Sequence, residues 1–251
     1  MIAAIRRFIK YANKPKNVGY CLICEGQTVF IETADWLRDN YICVRCNSIP
    51  RHRALIKIVH EKFPSFLSMK IHESSPSGAA SAKLKKKCLD YTPTYFYPDL
   101  EPGKYRNGFR SENLEKMTFA DNSFDLMITQ DVMEHVMNPA PAFAEIARII
   151  KPGGAHVFTV PVFKGKKTLV RAYEKNGQVY YPEEKDFHGN PIDREKGSLV
   201  TREWGDDLID FIKKSCGLKT EVYSFDDRKF GLVAEFLDVY VCQKPISSSK
   251  H

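Results

Sequence analysis

The sequence predicts an α/β fold: a mostly parallel sheet with an antiparallel hairpin at its C-terminal edge, preceded by a small cysteine-bearing module. Three observations predict it. From about residue 68 onward, apolar stretches of strand length alternate with helical stretches, and strand–helix–strand alternation implies parallel pairing through right-handed crossovers. Residues 220–225 and 235–243 read as two strands joined by a loop, which suits a hairpin at a sheet edge. Four of the seven cysteines stand in two C-x2-C pairs before residue 47. At 251 residues the chain can hold one full α/β domain plus a small module. The expected division is residues 1–66 for the module and a linker helix, and 67–251 for the main domain.

Within the main domain, residues 69–73 (M-K-I-H-E) read as a strand, 78–87 as a short helix and 88–92 as a second strand. Residues 124–129 (F-D-L-M-I-T) are nearly continuous in apolar character, as a strand covered on both faces should be. Asn138 is placed to cap the next helix and Pro139 suits its first turn. Phe143, Ile146, Ala147 and Ile150 then fall at i, i+3, i+4 and i+7, one buried stripe. Lys151-Pro152-Gly153-Gly154 stops the helix, and 155–160 is the following strand. Residues 162–205 form a long insertion rich in Gly, Pro and Asn, including Asp186-Phe187-His188-Gly189-Asn190-Pro191-Ile192. That composition predicts an ordered lid without helix. A polar tail follows at residues 247–251.

Cys21-x2-Cys24 and Cys43-x2-Cys46 are separated by 18 residues. Each pair lets two thiolates converge from one tight turn, and two such knuckles complete a tetrahedral site for Zn²⁺. With all four ligands sulfur, no position is left for a reacting water, so the expected zinc is structural. Cys88, Cys216 and Cys242 sit in apolar contexts and read as packing residues. The net charge of +7 lies mostly in this module: residues 1–60 hold ten Lys or Arg against four Asp or Glu. Such a module favours an anionic partner, for which RNA, a phosphorylated sugar carrier and a membrane surface are the alternatives. Arg51, His52 and Arg53 could meet that partner or serve behind the zinc ligands. The opening residues 1–12 are basic and amphipathic, read as a docked helix or a surface-binding one. No apolar run reaches the length of a membrane span, and no signal peptide is visible, so a cytoplasmic location is expected.

In an open α/β sheet, ligands bind beyond the carboxyl ends of the strands. That rule selects residues 73–78, 92–95, 112–113 with the loop to 119, and 130–135. Several of these segments carry a specific pattern. The run from Asn113 through "LEKMTFADNSFD" to Asp125, then "LMITQD-VMEHV" with Asp131 and His135, then "ARIIKPGG" to Gly154, resembles the middle of a class I S-adenosylmethionine (SAM)-dependent methyltransferase of the type 11 kind. The resemblance covers residues 70–162 and implies a Rossmann-like fold and SAM as the methyl donor. It also implies cofactor contacts from Glu73, Ser75, Gly78, Thr94, Tyr95, Asn113, Gln130 and Asp131. Glu73 takes the acidic place after the first strand, and Asn113 takes the place of the residue that accepts the adenine amino group. The chain departs from the family at His72-Glu73-Ser74-Ser75-Pro76-Ser77-Gly78, which has one glycine instead of three. The acid that usually ends the second strand is absent too, and Thr94 or Tyr95 is read in its stead. An "HGNP" loop is similar to that of methyltransferases with a C-x2-C ribbon linked to surface glycans.

Histidine is the natural base for a hydroxyl proton near neutral pH. His188 is therefore the expected catalytic base, with His135, Asp131 and Tyr181 in reserve. The bland alternative for His188 is a loop residue bonding its own turn, and for His135 a packing residue at a helix start. The expected function is O-methylation of a sugar hydroxyl on a nucleotide- or lipid-linked glycan. The alternatives are an RNA base methyltransferase using the basic ribbon, and a non-catalytic SAM-fold scaffold. No catalytic metal is expected.

Overall fold

The computed structural model describes residues 2–193 and 195–246, so the polar tail at 247–251 lies outside the described residues. The chain forms two compact units. The first comprises Met1–Ser68, Ser77–Leu89 and Val222–Val239; the second comprises Met69–Pro76, Asp90–Glu221 and Tyr240–His251. The first unit is thus larger than residues 1–66, because it takes in two distant stretches of chain.

In the first unit, helix α1 (Ile2–Lys10) leads into an antiparallel sheet of β1 (Lys16–Cys21), β2 (Gly26–Glu32) and β3 (Tyr41–Cys43), with a single helical turn, α2 (Leu37–Asn40), before β3. Helix α3 (Pro50–Lys62) follows, and α4 (Gly78–Lys87) belongs here as well. The segment expected as a linker is an enclosed core helix, with Ala54, Leu55, Ile56, Ile58 and Val59 all buried. Arg53 is fully buried. Its guanidinium donates to the carbonyls of Ser48, Tyr41 (2.8 Å) and Gly231 (2.7 Å) and lies 4.6 Å from the Phe30 ring. Burial pulls its pKa down to about 10. Arg53 is therefore a clamp between distant segments and not a contact for an anionic partner. Helix α1 is docked, as one of the two readings had it, but not through its apolar stripe. Ala4 and Tyr11 pack on Ile31, Ile42 and Val44, and Arg7 donates to the Val44 carbonyl, whereas Ile2, Ile5, Phe8 and Ile9 stay exposed.

The second unit is built on a sheet whose strands are β4 (Lys70–Ser74), β5 (Asp90–Tyr95), β6 (Tyr105–Arg106), β7 (Phe109–Ser111), β8 (Phe124–Gln130) and β9 (Ile150–Thr159). An insertion then supplies β10 (Val162–Phe163), β11 (Leu169–Val170), β12 (Tyr173–Lys175), β13 (Gln178–Tyr180), β14 (Phe187–His188), β15 (Ser198–Leu199) and β16 (Arg202–Gly205). Its described residues contain no helix. Helices α5 (Pro139–Ile149) and α6 (Leu208–Cys216) and strands β17 (Lys219–Tyr223) and β18 (Val239–Gln243) complete the set. The sheet order is β17-β18-β9-β8-β4-β5-β7-β6, parallel from β9 through β7 and antiparallel at β6. The expected α/β fold with a mostly parallel sheet is what forms.

Two details of the motif region differ from the sequence reading. Asn138 precedes α5 but its side chain does not cap the helix. Instead its backbone N–H and side-chain amide both donate to the Glu115 carboxylate, at 2.9 and 2.8 Å, so an acid from the preceding loop satisfies the positive helix end. Strand β9 begins at Ile150, not Ala155, because Lys151–Gly154 form an irregularity in its pairing with β8. Asp125 anchors that irregularity, accepting from the Lys70 N–H (2.7 Å) and the Lys151 ammonium (2.8 Å). Cys242 is buried, as a packing residue should be. Among the described residues no helix is long and apolar enough to cross a membrane.

One row of the sheet core is polar. His72 pairs with Met127, and Met127 with His156, so both histidines project from the same face. Each is fully buried; His72 Nε2 lies 2.9 Å from Thr94 Oγ1 and His156 Nε2 lies 3.0 Å from Thr129 Oγ1. Aromatic rings enclose them: Phe119 and Phe124 for His72, Phe158 stacked on His156.

Candidate active site and cysteine cluster

From β4 the sheet grows outward in both directions, to β5 on one side and to β8 on the other. That reversal is the topological switch point, where the carboxyl ends of two parallel strands open a crevice. Glu73 stands at the end of β4, fully buried, and accepts from the Gln130 amide (2.7 Å) and the Tyr91 hydroxyl (2.5 Å). A buried carboxylate held by two donors is oriented before any ligand arrives. Just past these strands, Ser75 (φ 53°) and Asp131 (φ 52°) occupy the left-handed region. Such strain outside glycine tends to gather at functional sites. The turns are pinned from within the unit: Ser75 N–H donates to the Thr94 carbonyl (2.8 Å), Tyr95 Oη to the Pro76 carbonyl (2.5 Å), and Thr159 Oγ1 to Asp131 (2.9 Å).

The other cofactor candidates fall differently. Thr94 is 1% exposed and its hydroxyl meets His72, so it faces the core instead of a ribose. Tyr95 is buried against Tyr97 and Phe109 and serves the Pro76 turn. Asn113 Oδ1 accepts from the Glu115 N–H (2.9 Å), a local turn bond that uses the oxygen expected to receive adenine. Gly78, in the first unit, has φ +71°, and a Cβ there would stand 2.2 Å from the His52 ring. Both its backbone and its bareness are required by packing on α3. Tyr91 was missed by the sequence reading; Glu112, inside the selected segment 112–113, is a buried acid held by Arg110 (2.7 Å) and the Thr118 N–H (2.9 Å). Tyr91 lies near the start of β5, away from the carboxyl ends that the sheet rule selects, so no signal in the sequence marked it.

A second cluster gathers where the insertion meets the loop after β8. Thr201 N–H and hydroxyl donate to the Glu134 carbonyl (2.8 and 3.0 Å), and the hydroxyl also reaches the Val136 carbonyl. His135 Nδ1 donates to the Leu199 carbonyl at 2.9 Å. Because a carbonyl only accepts, that bond places the ring proton on Nδ1 and the lone pair on Nε2. Burial holds the His135 pKa below its ordinary value. Strand β14 carries His188 into the same place by pairing with β15. Gly197 (φ +70°) permits the approach, since a Cβ there would lie 2.6 Å from the His188 carbonyl. The two imidazole rings stand 5.2 Å apart, with Asp131 and Asp186 in electrostatic range of His135. Tyr181 is exposed beside Lys185, an ordinary surface contact.

In the first unit the sulfurs of Cys21, Cys24, Cys43 and Cys46 all lie within 4.8 Å of one another. Cys21 and Cys43 end β1 and β3, which are the outer strands on either side of β2. Thr28 Oγ1 (3.2 Å) and Ser48 Oγ (3.2 Å) approach the sulfurs of Cys43 and Cys46. The Cys21 and Cys43 sulfurs hold the Cys24 thiol well above its ordinary range. Four thiols this close cannot all ionise unless a cation takes up their charge. The donor set fits a tetrahedral metal ion.

Residues 77–158 match a family described as a methyltransferase domain. An uncharacterized methyltransferase of Schizosaccharomyces pombe is 41% identical over 46 residues, 18% of this chain and 16% of that protein. A dimethylglycine N-methyltransferase of Parasynechococcus marenigrum is 42% identical over 50 residues, 20% of this chain and 18% of that one. The chain thus spans less than a fifth of the length of the curated relatives it matches. Among solved structures, an S-adenosylmethionine-dependent methyltransferase from Mesorhizobium loti is similar at a TM-score of 0.47 and 15% identity, covering 75% of this chain and 96% of that one.

Proposed function

We propose that this chain, with a methyltransferase domain over residues 77–158, transfers the methyl group of SAM to a sugar hydroxyl of a nucleotide- or lipid-linked glycan. The observation that carries the reading is the histidine pair, His135 and His188, beside Asp131 at the carboxyl end of β8. SAM supplies an electrophilic methyl carbon on a sulfonium that leaves with the electrons of the broken C–S bond. Glu73, oriented by Gln130 and Tyr91, is the anchor for the cofactor at the switch point. Methyl transfer then asks for in-line alignment and removal of one hydroxyl proton. His188 and Asp131 are the groups to receive it. A cluster of imidazoles and carboxylates suits an O–H acceptor better than a base nitrogen, which favours the glycan over RNA. The direct experiment incubates the protein with radiolabelled SAM and a panel of nucleotide sugars, lipid-linked sugars and RNA. Label is expected on a sugar; label on RNA alone would select the alternative reading.

The four cysteines are proposed to hold one structural Zn²⁺. Metal analysis of freshly reduced protein is expected to give a stoichiometric zinc that Cys43→Ser loses. That loss should unfold the first unit, since the ion neutralises four thiolates that otherwise repel. Reduced protein free of zinc but fully folded would refute the assignment.

A further inference from the structure

One cluster outside the cysteines has the donor set of a metal site. Glu134, His135 and His188 each offer one ligand atom, and these atoms lie within 4.8 Å of one another. We propose that they form a second metal centre, a divalent-cation site that holds the acceptor's oxygen next to the methyl-transfer position. Only the purpose of the cation rests on the O-methylation reading; its binding stands on geometry alone.

Three observations support it. The Leu199 carbonyl fixes the His135 tautomer so that Nε2 carries the lone pair, and this is the nitrogen 3.9 Å from Glu134 Oε1. A ligand histidine whose other nitrogen is tied to a carbonyl is the usual arrangement at metal sites. The three side chains also differ in exposure: Glu134 is 3% exposed, His135 17% and His188 46%. The site is thus closed on the protein side and open on the other, which leaves coordination positions for an incoming oxygen. Finally, two imidazoles and one carboxylate are the donors that suit Mn²⁺, Fe²⁺, Co²⁺ or Zn²⁺ and differ from the all-sulfur set of the cysteines. Atoms bound to one such ion stand roughly 3–3.5 Å apart. His188, on an exposed strand of the insertion, can close the remaining gap by side-chain rotation. Asp186 Oδ2, 4.0 Å from His188 Nε2, is within reach as a further ligand. With one nitrogen each from His135 and His188 on the cation, Asp131 is the one of the two proposed proton acceptors that remains to take the hydroxyl proton.

The test adds Mn²⁺ to protein already loaded with zinc at its cysteines and follows free Mn²⁺ by electron paramagnetic resonance. One Mn²⁺ per chain is expected to bind, weakened by more than about tenfold in His188→Ala and in Glu134→Gln. His188→Ala removes an exposed side chain and keeps the test decisive if Glu134→Gln folds poorly. Co²⁺ in place of Mn²⁺ should give ligand-field bands without a sulfur-to-metal charge-transfer band. Absence of binding in the native protein, equal binding in His188→Ala, or a charge-transfer band would each overturn the site. Label transfer to a sugar without Mn²⁺ binding would overturn this inference and leave the O-methylation reading intact. Mn²⁺ binding without transfer to any hydroxyl would do the reverse.

Discussion

Replacing His188 by alanine is expected to lower turnover by about 10²–10⁴-fold, the span of a group that activates the reacting hydroxyl. SAM affinity should stay unchanged, because the proposed cofactor anchor, Glu73 with Gln130 and Tyr91, makes no use of this side chain. The separation of the two effects is the informative part. His188 is held by β14–β15 pairing and by the close approach of Gly197, and both contacts are made by its backbone. Removing the imidazole therefore leaves the strand in place. Steady-state kinetics on the identified acceptor, beside calorimetry with SAM, reads both quantities. Near-normal turnover would reduce His188 to a loop residue and move the activating role to Asp131 and His135.

The second large effect is acid destabilisation. Burial pushes the pKa of both His72 and His156 down to about 3, with Arg110 adding to the shift at His72 and His72 adding to that at His156. In the unfolded chain each titrates near 6.5. Between those values the unfolded state binds protons that the folded state refuses, so stability falls as the pH drops below about 6.5. From pH 7 to pH 5 the loss is roughly 2 kcal/mol per histidine, and roughly 4 kcal/mol for the pair. Denaturant midpoints at pH 7, 6 and 5 should show it, and His72→Gln or His156→Gln should each remove about half of the slope. Unchanged slopes in both variants would mean that the row titrates while folded.

Much of the second unit was legible because its signals are local. The near-continuous run 124–129 and the helical stripe Phe143/Ile146/Ala147 follow from period alone, and β8 and α5 form there. What escaped is what depends on distant residues. Arg53 looks like part of a surface cluster until Gly231, far along the chain, supplies a carbonyl to it. Asn138 looks like a helix cap until Glu115 captures its amide. Thr94 looks like a ribose contact until His72 on the neighbouring strand takes its hydroxyl. The meeting of His135 with His188 likewise needs the insertion to fold back onto the loop after β8 through Leu199 and Thr201. No periodicity encodes that return. The cysteine pairs were readable because two short spacings suffice to gather four sulfurs.

The central claim is that the crevice at the β4–β8 switch point is a SAM site, and calorimetry with SAM tests it most directly. The native protein is expected to bind with micromolar-order affinity. Glu73→Ala should weaken binding by roughly 1–3 kcal/mol, the cost of deleting one buried polar partner, and Gln130→Ala, which removes the amide that orients Glu73, by a similar amount. Circular dichroism on each variant separates loss of the site from loss of the fold. No binding by the native protein, or unchanged binding in both folded variants, would contradict the account.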